Sequence, residues 1–262
     1  MRFCDHRDSR CLVARTRCNM ALLVLAALAS ASLTGAMAQD ILIDEPAAEQ
    51  SEPATDKEVG FTQLSGDDAK SKWRGYNSEE WPEGWKLADG MLHRIGGGGD
   101  LMTKQQYGSF DMRLQWKIEP GGNSGVLYHV LTGDPAPYLT GLEYQVLDNE
   151  RHADGRSPLT SAAALYALYP PDPNPVKPAG QWNTGRIVVQ GKHVQHFLNG
   201  KKVVDCVIGS EDWNKRLAKS KFANWEKFAK ADKGYITLQD HGNHVWFKNV
   251  RIKPLADEAA AE

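Results

Sequence analysis

Two short runs gather the residue types that can do chemistry. The first is Glu143-Tyr144-Gln145-Val146-Leu147-Asp148, followed by Asn149, Glu150 and His152. Read as a strand, it puts Glu143 and Gln145 on one face and Tyr144 and Val146 on the other, because successive side chains alternate. The second run is Gln239-Asp240-His241-Gly242, with His244 just beyond. There Gln239 and His241 face one way and Asp240 the other, which leaves Asp240 a structural part. A carboxylate, an imidazole and amides brought together can hold a divalent metal or fan hydrogen bonds over sugar hydroxyls. Each run alone has a plainer reading, a strand with one wet face and a charged exit. If the two runs face each other, they make a concave site.

Aromatic residues add a third signal. Trp73, Trp81, Trp85, Tyr107, Tyr128, Tyr138, Tyr166, Tyr169 and Trp182 are many for one domain, and several fall in expected loops. Their faces can stack on the apolar side of a sugar ring, though core and rim packing accounts for most aromatics. Other chemistries lack their signatures. The chain has no phosphate loop, no Gly-x-Ser-x-Gly elbow and no His-Glu-x-x-His pair, so no nucleotide cofactor is expected. Gly96 to Gly99 are four consecutive glycines without the strand-then-helix setting of a phosphate cradle, and they read as a loop.

The elements that must position these residues are mostly strands. Phe110, Met112, Leu114, Trp116 and Ile118 alternate with Asp111, Arg113, Gln115, Lys117 and Glu119, which predicts a half-buried strand. Arg186–Gln190 and His193–Leu198 read as two more. Asn199-Gly200 tolerates positive φ at both residues and turns the chain back into Lys201–Val204. Gly234–Gln239 and Val245–Ile252 are expected to pair around a Gly242-Asn243 turn. Many strands with close turns mean an antiparallel sandwich or barrel. Ser210 is an N-cap candidate, with Glu211 and Asp212 in the first turn of a helix or two short helices capping an open end. Asp134 to Ala179 is loop-rich and proline-rich, the kind of segment that carries function on a β scaffold.

Bulk properties set the compartment. The 262 residues suit one large domain, and a formal net charge of −2 gives no reason to expect nucleic acid as a partner. Arg2, Arg7, Arg10, Arg15 and Arg17 precede an apolar run from Met20 to Leu33, and Ala36-Met37-Ala38 offers a small-x-small cleavage site. Residues 1–38 therefore read as a secretory signal peptide rather than a membrane anchor, the apolar run being too short to span. Its removal takes five arginines and two aspartates from 31 basic and 33 acidic residues, leaving net −5. Cys4, Cys11 and Cys18 leave with it. Cys206 then stands alone without a disulfide partner, which fits a periplasmic or secreted bacterial protein. Residues 39–59 read as a disordered linker, 60–255 as the folded domain and 256–262 as a disordered tail.

Longer runs carry a resemblance. They are Asn123–Val130 (NSGVLYHV), Gly141–His152 (GLEYQVLDNERH), Ala164–Pro171 (ALYALYPP), Ala179–Val204, Ser220–Phe222 (SKF) and Gly234–Ile252. In this order they resemble the 3-keto-disaccharide hydrolase family, formerly a domain of unknown function. The resemblance implies an all-β fold, a concanavalin-A-like jelly-roll β-sandwich. It implies cleavage of 3-keto-glycosides: the ketone acidifies the C2 proton, a base removes it, the C1 oxygen departs and water adds back. A base, a group for the enolate oxygen and an acid are then required. Under this resemblance Glu143 and His241 hold a divalent metal or the ketone, and Gln145 and Gln239 bind hydroxyls. His152 or Asp148 is the base, and Tyr166 the acid or a hydroxyl donor. Trp73, Lys104 and His129 join them as substrate contacts, although many members have Arg at the place of His129. A separate oxidoreductase must supply the ketone. Gln145 stands where the second carboxylate of a retaining glucanase strand would be, which argues against that mechanism. The alternative is a non-catalytic, lectin-like carbohydrate-binding module on the same fold.

Overall fold

The computed structural model describes residues 59–256. The expected signal peptide lies outside the described residues, as does the expected linker except Val59 and the tail except Ala256.

Thirteen strands and one α-helix make up the domain: β1 (Thr62–Gln63), β2 (Trp73–Gly75), β3 (Trp85–Ala88), β4 (Met91–Arg94), β5 (Leu101–Thr103), β6 (Phe110–Ile118), β7 (Asn123–Val130), β8 (Leu142–Leu147), β9 (Asn183–Gln190), β10 (His193–Leu198), β11 (Lys201–Val207), α1 (Glu211–Lys219), β12 (Tyr235–Leu238) and β13 (Val245–Pro254). A large sheet runs β11-β10-β9-β6-β13-β4-β3, with β1 added on β13, and a small sheet runs β2-β5-β12-β7-β8. Consecutive strands repeatedly change sheets, and every pairing is antiparallel. This is the expected jelly-roll sandwich.

Alternation decides what fills it. On β6 the expected apolar set, Phe110 to Ile118, is buried, while Arg113, Gln115 and Lys117 stay partly exposed. Val126 and Tyr128 of β7 and Tyr144 and Val146 of β8 join the same core from the small sheet. Each such side chain contributes roughly 1.5–3 kcal/mol, offset by the entropy of ordering the chain. At the β10–β11 turn, Asn199 and Gly200 take φ of 47° and 77°, as their types allow. Ser210 caps α1 by accepting from Trp213 N at 3.2 Å.

Two expectations about elements change. The strands around Gly242-Asn243 are not a hairpin, since β12 lies in the small sheet and β13 in the large one. The link between them is drawn across the sandwich edge by Asp240. Its carboxylate is paired with buried Arg94 of β4 at 2.6 Å, and its backbone N–H donates to Asp100 at 2.7 Å. Beyond α1, the turns through Phe222 and Phe228 cover the outer face of the small sheet rather than an open end.

The loop that follows β8 is tied to it. Ala163 N donates to Gln145 O, Gln145 N to Ala164 O and Tyr166 N to Glu143 O. Ala163 and Ala167 adopt left-handed φ of 66° and 59° to make this return. The segment thereby covers the β8 edge and carries Tyr166 over the same face as Glu143.

Several expected sugar contacts are structural. Trp73 is 1 % exposed, and its indole N–H donates to Leu64 O at 2.6 Å. Trp85, Tyr107, Tyr128 and Tyr169 are likewise buried in the core. His129 is 2 % exposed, donates from Nε2 to Gly108 O at 2.9 Å, and packs edge-on to Phe110 and Tyr128. A left-handed φ of 56° turns that side chain into the protein. Lys104 is exposed, and its ammonium reaches Lys70 O at 3.5 Å rather than a cavity.

Candidate active site

The outer face of the small sheet holds a cavity of about 260 Å³ lined by both chemical runs. Glu143 and Gln145 reach it from β8, Asn123 from the start of β7, and Gln239 and His241 from the link after β12. The register explains the meeting. β7 lies between β8 and β12, Gly125 opposes Gln145, and Gln239 N donates to Gly125 O at 2.9 Å. The expected two walls therefore flank one strand and share one face, with Gln239 and His241 aimed inward and Asp240 away.

Gly125 makes the floor. A Cβ there would fall inside contact distance of the Glu143 carboxyl. The missing side chain is what leaves room for that carboxyl beside the central strand.

Glu143 is the chemically unusual group. Its carboxyl accepts no hydrogen bond from any described residue, and the residue is partly exposed to the cavity it lines. Burial raises its pKa to about 8; Lys221 pulls down against this, and Asp100 and Asp154 add to the rise. Burial also pushes Asp100 up to about 6. Tyr166 donates its hydroxyl to Asp154 Oδ2 at 3.2 Å. Burial, Asp154 and Glu143 push that phenol up to about 12. Lys221 is held low by burial, against the attraction of Glu143 and Asp154, and its ammonium sits 4.4 Å over the Tyr166 ring.

The walls offer unfilled acceptors. Asn123 Oδ1 and Gln239 Oε1 are buried without a hydrogen-bond partner among the described residues, and both residues line the cavity. Orphaned acceptors of this kind cost stability unless a ligand hydroxyl meets them. Gln145 is more occupied: its Nε2 donates to Thr160 O at 3.3 Å and its Oε1 accepts from Val146 N at 3.1 Å. Opposite these amides stand Tyr138, Phe222 and Phe228.

Of the expected base candidates, neither lines the cavity. Asp148 is 3 % exposed and spends its carboxylate on the backbone N–H groups of Gly121 (2.7 Å) and Glu150 (3.1 Å). It is a turn cap. His152 accepts from Asp154 N through Nδ1 at 3.1 Å and sets its ring edge-on to His241, 6.1 Å between centroids. It backs the cavity wall. The link that carries His241 is clamped from the far side, where Gly99 of the four-glycine loop and Gly242 donate N–H to Asp240.

The metal expectation meets a poor donor set. Glu143 and His241 both line the cavity, yet among the described residues no group of three His, Cys, Asp or Glu side chains is placed to hold an ion. The cation beside Glu143 is a lysine. Glu143 and His241 with an ammonium nearby are not a preformed His–carboxylate metal centre, and the wall adds only the open amide oxygens of Asn123 and Gln239.

Asn123, Asp154, Lys221, Phe222 and Phe228 were missed as site residues. Asn123 and Lys221 lie within runs that carried the resemblance, and no periodicity marks either. Comparison with known proteins spans these segments: the 3-keto-alpha-glucoside-1,2-lyase-like domain model matches residues 60–253. The chain belongs to this family. It is similar to a Bacteroides thetaiotaomicron protein named 3-keto-disaccharide hydrolase, with 33% identity over 216 residues, 70% of this chain and 74% of the relative. Two crystal structures from Parabacteroides distasonis, of proteins provisionally called glycosyl hydrolases, share the family fold. One has TM-score 0.70 and 33% identity, covering 75% of this chain and 94% of its own. The other has TM-score 0.60 and 26% identity, covering 74% and 99%.

Proposed function

We propose that the cavity cleaves the glycosidic bond of a 3-keto sugar, by elimination across C1 and C2 followed by hydration. The observation that carries this reading is Glu143, a carboxyl with a pKa of about 8 and no hydrogen-bond partner among the described residues, facing a cavity with open amide acceptors. A carboxylate of raised pKa is a stronger base than an ordinary one, and it is still partly ionised near neutral pH. Family membership and the name of the Bacteroides relative support the choice of a keto sugar.

The steps use groups on the cavity wall. Glu143 takes the C2 proton, and Lys221 meets the charge building at the C3 carbonyl. The electron pair then expels the C1 oxygen. His241, exposed and on the wall, gives the departing oxygen its proton where the aglycone can leave. The enone adds water, hydroxyl to C1 and proton to C2, and the net change is hydrolysis. Asn123 and Gln239 accept from sugar hydroxyls, and Tyr166 orders Asp154 beside Lys221. The ketone comes from an oxidoreductase acting earlier, in the periplasm or outside the cell.

The test compares a 3-keto-disaccharide with the same unoxidised sugar. Release of monosaccharide from the keto form alone is expected. Binding of both without turnover would sink the enzymatic reading and leave a lectin-like module.

A further inference from the structure

Lys221 is the lysine that lines the cavity, and it is left without a carboxylate partner there. Lys72, Lys192, Lys202, Lys215 and Lys227 are each ion-paired with a carboxylate. Lys221 lines the cavity yet makes no ion pair or hydrogen bond with any described residue, although Glu143 and Asp154 are close enough to act on its charge. Its nitrogen lies instead against ring faces, 4.4 Å from the centroid of Tyr166 and 5.1 Å from that of Phe222. A lysine recruited to neutralise Glu143 would close onto it. This one is held apart, leaving its nitrogen and the Glu143 carboxyl as two unspent groups in one cavity.

We propose that Lys221 is a covalent catalyst, forming an iminium with the C3 ketone of the substrate. The proposal rests on the keto-sugar reading above. A desolvated lysine among apolar groups is the usual form of an amine nucleophile, because burial disfavours the ammonium and frees the lone pair. The Lys221 side chain is exposed at the cavity mouth, but partial burial of its nitrogen still lowers its pKa, while Glu143 and Asp154 pull it back up. Protonated Glu143 is a suitable acid for the water that must leave.

The balance closes without a further reagent. The Lys221 amine adds to C3. The carbinolamine loses water with the Glu143 proton, giving the iminium and a Glu143 carboxylate. That carboxylate takes the C2 proton and forms the enamine. The enamine expels the C1 oxygen, which takes a proton from His241, and a conjugated iminium remains. Water adds at C1 and returns a proton to His241, Glu143 reprotonates C2, and a second water releases the ketone and the lysine. An iminium nitrogen acidifies C2 more than a carbonyl polarised by an ammonium does, so the carboxylate can do its work without a metal.

The experiment uses the full chain with methyl 3-keto-α-D-glucopyranoside and cyanoborohydride. The expected result is an adduct heavier by the mass of the sugar less one oxygen, mapped by peptide mass spectrometry to Lys221. Unoxidised methyl glucoside should give none. Lys221→Arg keeps the charge but cannot form the iminium; it should lose the adduct and turnover by on the order of 10³-fold while keeping substrate binding. Turnover by the wild type without any adduct, or Lys221→Arg within tenfold of the wild type, overturns the covalent role and leaves elimination standing. An adduct on Lys221 without turnover upholds the covalent site and removes the elimination reading.

Discussion

Asp111 and Glu143 occupy outward positions on the two sheets, and the protein treats them in opposite ways. Asp111, on β6 of the large sheet, is 5 % exposed and is gripped by four hydrogen bonds from two arginines. Arg186 takes both oxygens at 2.9 Å, and Arg113 adds two longer contacts at 3.0 and 3.4 Å. Burial pushes its pKa up, and the two guanidinium groups more than offset this, so the net shift is downward. Glu143, on β8 of the small sheet, has no hydrogen-bonded arginine to offset burial, and its pKa stands at about 8 despite the pull of Lys221. The large sheet shows how this fold satisfies a carboxylate when stability is the only demand. The small sheet withholds that satisfaction at the site proposed for chemistry, which matches the usual clustering of perturbed groups at functional sites.

Removing the carboxylate should separate the two roles most sharply. Glu143→Gln is expected to lower turnover by on the order of 10³-fold, as loss of a general base does. It should also stabilise the fold. A carboxyl whose folded pKa is raised contributes its stability below its ordinary value of 4.5 and loses it as pH rises through about 8. The variant and wild type should therefore melt together near pH 4, and the variant should melt higher above pH 8, by a few degrees on the order of 1–2 kcal/mol. In the wild type, kcat/KM should rise with pH and level off above about 8. A variant that is less stable at alkaline pH would show that Glu143 is a structural group after all.

A smaller effect is expected from the floor. Gly125→Ala puts a methyl against the Glu143 carboxyl and keeps all charges. Displacing a reacting group by about 1 Å typically costs about 10²-fold, so kcat should fall by roughly that amount in steady-state assays. Unchanged kinetics would mean that the carboxyl has another place to sit.

Much of this contrast was open to sequence reasoning, and the part that was not has physical causes. Strand β6 was legible because one face is buried and the other wet, and the same period put Glu143 and Gln145 on a shared face. Asn199-Gly200 and Ser210 were legible from backbone chemistry alone. The link from Gln239 to His244 was not, because a short segment with Gly242 suits a hairpin and a crossover equally. Arg94 decides between them, and only the fold brings it to Asp240. Lys221 was hidden for the same reason: a lysine in a turn carries no period, and its setting is made by Tyr166, far away in the chain. Asp148 misled because a carboxylate at a strand exit is equally suited to a base and to a turn cap. Trp73 and His129 misled because an aromatic or imidazole side chain gives no sign of which side of the sheet it takes.

The smallest expected effect lies at Asp111, and it should invert the Glu143 result. Asp111→Asn keeps the size of the side chain but leaves Arg186 and Arg113 facing a neutral amide, part-exposed and screened by water. The expected loss is about 1–2 kcal/mol at neutral pH, measured by denaturant unfolding, because the pair is bidentate but not deeply buried. Turnover should stay within twofold, since Asp111 lies on the other sheet. The pH dependence supplies the sign. A carboxylate of lowered pKa contributes stability above its ordinary value, here 3.8, and loses it as pH falls through the folded value. The wild type should therefore lead the variant at pH 7, and the lead should close on acidification below 3.8, whereas the Glu143→Gln difference opens on the alkaline side. If Asp111→Asn reduced turnover while Glu143→Gln did not, the assignment of one carboxylate to the scaffold and the other to the chemistry would have to be reversed.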